Sequence, residues 1–369
     1  MKVQITNGMY MALIINMVYA KSIGLTQGSI SREVGSDNWI STLFASMFAM
    51  MLIYLTVIVS RRLPQKDLLS QGKGLIGNIL GRILGIIFFI FFLGAFGSVM
   101  TTFVYHLKDY FLPEAPTWIF ILVAVMVGSY GIFFGIEVVA RMALIGVFSI
   151  LLLNTLLLLG SLGRFDINEL LPVFQSGFWP VIRSSRHHLA DWSMVIVMAG
   201  LILPLVREKE KWGKSSLAGI GFGTIFIIMW PILETGVLSA EVTGQYLISC
   251  MQMARSAQIG LYIHRYEMIM IAFFSISILT QIMMTLFCAS VSVQRIFNLK
   301  DYRKVIIPVS LLFGLYGYWV VKDHHRAMSI TENQWVFLAL AVSIVIPILL
   351  YILGFFFGKK KKEPILTDQ

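Results

Sequence analysis

Charged side chains are scarce in this sequence. They make up 13% of its 369 residues, against 57% hydrophobic ones. A water-soluble fold of this length needs a far more polar surface, so that class is excluded. Cysteine is nearly absent. Cys250 and Cys288 have neither metal-ligand spacing nor a disulfide framework, and they are expected to pack as small hydrophobes. Ser-His-Asp arrangements, phosphate loops and metal motifs are also missing, so no enzyme, cofactor or metal is expected. The period-two alternation of a lipid-facing β-barrel is lacking too, which leaves helices.

Apolar runs of about 20 residues do recur, the length that crosses a bilayer. Ten can be placed, at 5–34, 39–59, 83–107, 118–134, 138–159, 189–206, 217–238, 267–297, 305–321 and 335–357. The first and eighth exceed a perpendicular span and must tilt, break or project. The first lacks a small-residue cleavage site and is read as a mature helix rather than a signal peptide. The net charge of +10 comes from 29 basic against 19 acidic residues. The basic ones lie in short loops and in the run Lys359-Lys360-Lys361-Lys362, which is membrane orientation rather than nucleic-acid binding. They concentrate on the side that places both termini in the cytoplasm.

Ten helices divide into five plus five, and an odd number inverts the second set. The expectation is an all-α integral membrane protein: one domain built from a repeat at 1–161, a second at 162–358 and a basic tail at 359–369. In such folds the first helix of each repeat is interrupted at the ligand site. Candidate interruptions are Tyr19-Ala20-Lys21-Ser22 followed by Gly24, and Ser193, Ala199-Gly200 and Pro204 in the sixth helix. The connections 163–188 and 239–265 are long and outer, and 65–82 reads as an inner interfacial segment.

Several stretches carry a family resemblance. They are Trp39-Ile40, "GIEVVAR" (135–141), "DINELLPVFQSGFWPV" (166–181) and Ile263-His264-Arg265-Tyr266-Glu267. In that order and spacing, the chain resembles the B subunit of a spore germinant receptor, a spore germination permease within the amino acid–polyamine–organocation transporter superfamily. The resemblance implies ten helices in inverted repeats with broken first and sixth helices. It also implies an A subunit and a lipoprotein C subunit as partners, the spore inner membrane as location, and small nutrients such as amino acids as ligands. Relatives keep a glycine-rich break in the first helix, where this chain has Tyr19-Ala20-Lys21. They keep a glutamate before the sixth-helix proline, where it has none. In the third helix Thr101, Thr102 and Tyr105 replace a charged pair.

Lys21 stands out because a lysine at a helix centre costs roughly 2.5–3.5 kcal/mol to insert. It can meet a ligand carboxylate, occupy a former sodium position, or pair with Glu234 or Asp191. Tyr19, Ser22, Ser193, Gly200 and Thr280 are expected to shape the pocket around it. Glu137 and Arg141, four apart, are read as a structural pair. Arg265 and Glu267 are read as an anchor or a partner contact. Thr280, Gln281, Ser275 and Ser277 either bond between helices or line the cavity. His187-His188 and His324-His325 read as solvated loop residues. Two rivals to the sensor share this fold: a secondary transporter of amino acids or organic cations, and a ligand-blind structural subunit.

Overall fold

A computed structural model describes residues 5–63, 66–258 and 266–357. Among them every regular element is helical. The chain opens with α1 (Asn7–Ile23), capped by Thr6, whose hydroxyl accepts from Met9 N at 3.2 Å. It continues through α2 (Leu25–Val34), α3 (Asn38–Arg62), α4 (Leu68–Ile76), α5 (Asn78–Lys108), α6 (Thr117–Phe133) and α7 (Ile136–Ser161). The second half holds α8 (Phe178–Ser184), α9 (Arg186–Ile202), α10 (Trp212–Leu238), α11 (Ala240–Gln245), α12 (Ser249–Ser256) and α13 (Tyr266–Phe297). It ends with α14 (Ile306–Lys322), α15 (His324–Ser329) and α16 (Trp335–Phe357). Gly77 (φ +88°) and Gly135 (φ +105°) make the tight joints α4–α5 and α6–α7, in backbone conformations that suit glycine.

Among the described residues eight stretches are long and apolar enough to span a bilayer, and α6 is a shorter apolar helix. One of the eight, Leu25–Arg62, runs from α2 through α3; the expected first crossing corresponds to α1 and α2, which meet at Gly24. The short α4 and α8 lie where interfacial segments are expected.

α1 and α9 sit at the centre with nearly every residue buried, polar ones included. The start of the first crossing is tied to the end of the sixth. Ile5 N donates to Leu205 O at 3.2 Å and Arg207 N to Ile5 O at 3.1 Å. Two of the expected interruptions, Gly24 and Pro204, coincide with breaks, while Tyr19–Ser22, Ser193 and Ala199-Gly200 lie inside continuous helix. The first helix breaks at Gly24, three residues beyond Lys21. The sixth runs unbroken through Ala199-Gly200 and is interrupted at Ser185 and at a 3-10 turn, Leu203–Leu205, that contains Pro204.

Candidate functional site

The break lies at Gly24, where α5 packs too closely to admit a side chain. A Cβ there would stand 2.7 Å from Thr102 Cγ2 and 2.9 Å from His106 Cε1 of α5, which only glycine avoids. Nearby carbonyls of α1 receive donors from α13. Ser277 Oγ donates to Asn16 O at 3.0 Å, and Gln281 Nε2 donates to Met17 O at 2.7 Å. These interhelical hydrogen bonds tie the middle of α1, about two turns before the break, to α13.

Lys21, 2% exposed, points at α9, and its Nζ pairs with Asp191 Oδ1. The other Asp191 oxygen accepts from Thr26 Oγ1 at 2.6 Å. Thr26 is the second residue of α2, so the carboxylate also lies at a helix N-terminus, where the backbone dipoles favour an anion. In broken-helix transporters that position receives a substrate carboxylate. Here the protein's own Asp191 occupies it. Glu234, the other candidate partner, is buried and accepts from Ser249 Oγ at 2.6 Å instead.

The Lys21–Asp191 pair floors a narrow crevice lined also by Thr26, Ser29, His187, Thr331 and Glu332. It holds about 10 Å³, room for about one water. Thr331 and Glu332 belong to a π-helical turn, Ile330–Gln334, just before α16; such turns recur at functional sites. Two sets of polar ties involve its lining residues. Glu332 Oε1 accepts from Arg32 Nη2 at 2.8 Å and from Ser29 Oγ at 2.7 Å. Glu33 accepts from Arg186 Nη1 at 2.9 Å and faces His187 Nε2 at 3.0 Å. Before this turn, Asp323 accepts from Arg326 N at 2.8 Å to cap α15, which holds its carboxyl below the ordinary range.

Of the residues expected to shape the pocket, only Lys21 lines the crevice. Tyr19, two positions away, faces α7 and α10: its OH donates to Asn154 Oδ1 at 2.6 Å and accepts from Trp230 Nε1 at 3.0 Å. Ser22 accepts from Trp192 Nε1 at 2.8 Å. Ser193 bonds Ser343 Oγ at 2.8 Å and Leu189 O at 2.9 Å. Gly200 receives the Leu68 side chain of α4, whose Cδ1 would lie 2.2 Å from a Cβ there. Nine residues beyond Asp191, it is about 13 Å further along α9. Thr280 bonds its own helix at Ile276 O.

Glu137 and Arg141 do pair, at 2.6 Å on an exposed face. Glu267 is buried at the start of α13, whereas Arg265 lies outside the described residues. His187 and His188 correct the loop expectation: both are buried on α9. His324 and His325 are exposed. Both cysteines are free and buried. Sequence reasoning missed Asn154, Trp230, Trp192, Thr26 and the π turn as parts of this core. No spacing rule links residues on different helices, although Asn154 inside an apolar helix was a visible signal.

The family described as spore germination protein matches residues 4–317. Spore germination protein YndE of Bacillus subtilis (strain 168) is 26% identical over 85% of this chain and 84% of its own length. Spore germination protein KB of the same organism is 20% identical over 98% and 97%. Among solved structures, MhsT in complex with L-phenylalanine superposes with a TM-score of 0.62 at 14% identity, covering 94% of this chain and 97% of that one. A substrate-bound, outward-open Na+-coupled sialic acid symporter gives 0.66 at 12% identity, over 96% and 79%. The structural likeness establishes the inverted-repeat transporter fold.

Proposed function

This chain belongs to the spore germination protein family, and on that premise we propose that it is the nutrient-sensing membrane subunit of a spore germinant receptor. In this reading it sits in the spore inner membrane with both termini cytoplasmic. It signals to an A subunit and a lipoprotein C subunit.

The observation that carries the reading is the buried Lys21–Asp191 pair at the first-helix break, beside a narrow crevice. A zwitterion such as an amino acid brings one carboxylate and one ammonium. It can replace both halves of the pair, carboxylate to Lys21 and ammonium to Asp191, and strand neither charge in the membrane. A crevice of about 10 Å³ admits no nutrient as it stands. Entry requires α2 to part from α9 and the π turn, releasing Arg32–Glu332 and Glu33–Arg186, with Gly24 as the hinge. The nutrient then selects the open state, and the partner subunits respond to that shift. Lys21 keeps its ligand role. Tyr19, Ser22, Ser193, Gly200 and Thr280 hold the helical frame, and Glu137, Arg141 and Glu267 remain structural or partner-facing.

The test is germination of spores carrying Lys21→Met together with Asp191→Asn at normal receptor levels. The sensor reading expects the nutrient response to be lost; an unchanged dose–response contradicts it. The closed crevice and the internal partners of every other pocket residue favour a second reading, the ligand-blind subunit. Under it, purified protein binds none of a panel of amino acids, sugars and nucleosides. The transporter fold keeps a third in view, for which proteoliposomes would show saturable, gradient-driven uptake.

A further inference from the structure

A second cavity lies at the opposite end of the bundle, on the face proposed above as cytoplasmic. It holds about 370 Å³ between α4, the first turns of α5 and the end of α13, within the range of small-ligand sites. Lys66, Lys73, Arg295, Ser70 and Asn298 line it. Its frame is built around a buried acid. Asp67 caps α4 by accepting from Ser70 N at 2.8 Å, and its other oxygen accepts from Arg295 Nε at 2.9 Å and Nη2 at 2.6 Å. The guanidinium is thereby held in one orientation. Lys73 Nζ donates to the neutral Asn298 Oδ1 at 2.7 Å. Among the described residues neither Lys66 nor Lys73 has an ion-pair partner. Gly81 brings α5 against α4, since a Cβ there would lie 2.8 Å from the Lys73 backbone.

Two lysines without ion-pair partners and the Asp67-held Arg295 thus line a polar cavity, with a hydroxyl and an amide as neutral donors. That set suits an anion with several acceptor oxygens. Beside it on α5, Ile79, Leu80 and Ile83 are exposed and form an apolar strip. We propose that this cavity binds a phosphate-bearing headgroup, the strip receiving the chains of an anionic phospholipid. Basic pockets between helices at a membrane surface take such groups. The site also reaches the first one, because α4 bears on α9, the helix of Asp191, through Leu68 against Gly200.

The full-length chain, purified and delipidated in neutral detergent, would be titrated with phosphatidylglycerol and phosphatidylcholine under native mass spectrometry. In a parallel arm it would be titrated calorimetrically with glycerol 3-phosphate. The expected result is preferential phosphatidylglycerol binding, weakened about thirtyfold by Lys66→Gln with Lys73→Gln, roughly fivefold per lysine. Lys108→Gln with Lys322→Gln at the other end should leave it unchanged. Thermal unfolding checks that each variant is folded. Glycerol 3-phosphate binding with the same lysine dependence, but without lipid preference, supports the phosphate site and assigns it a soluble ligand. Equal retention of the two lipids without glycerol 3-phosphate binding overturns the proposal. So does undiminished phosphatidylglycerol affinity in the Lys66/Lys73 variant.

Discussion

Lys21 is stable in the membrane core because Asp191 cancels its charge and Thr26 satisfies the remaining carboxylate oxygen. A buried pair adds little net stability, but removing one partner strands the other. Lys21→Met alone should therefore cost about 3–5 kcal/mol, as should Asp191→Asn. The double variant should recover most of that, a coupling that a double-mutant cycle of unfolding in detergent measures. Equal, additive losses would contradict the pair. Much of this was legible in the sequence. A lone lysine among apolar residues announced itself, and the acids in reach narrowed to Asp191 and Glu234. Hydropathy gives depth but not the rotation of a helix about its axis, so it could not choose between them. The same limit hid Tyr19, whose partners Asn154 and Trp230 lie on α7 and α10.

The two helix interruptions answer to different physics. At the Gly24 break the close approach of Thr102 and His106 on α5 requires glycine, and a glycine after a polar cluster let the sequence name it. Gly200 resembled a break but is a packing notch for Leu68. Its partner sits on an interfacial helix more than a hundred residues away, which no local pattern reveals. Gly200→Ala should destabilise by about 1–3 kcal/mol through overpacking. Adding Leu68→Ala should cost less than the sum of the two single changes, because it empties the contested space. Strict additivity, read by thermal unfolding, would remove Leu68 from that role. The π turn before α16 left no trace in hydropathy, because its residues read as an ordinary helix approach.

As a molecule, the fold is one bundle whose two buried helices, α1 and α9, meet at a charge pair, with a narrow crevice beside that pair and a basic cavity at the other end. The inverted arrangement followed from counting apolar runs. The ion pairs beside the crevice did not, because they join charged groups from three separate segments, α2, α9 and the π turn. Orientation is open to labelling, because Cys250 and Cys288 are buried and should stay silent to a membrane-impermeant maleimide in intact cells. A cysteine at Glu169 should label from outside, whereas one at Lys300 should label only after permeabilisation; the reverse pattern would invert the proposed topology. The ion pair as the nutrient's own site is tested by calorimetric titration of the full-length chain in lipid nanodiscs against a panel of amino acids. The wild-type chain should bind at least one of them saturably, and the Lys21→Met, Asp191→Asn variant, still folded, should bind none. Equal binding by both proteins would contradict the account.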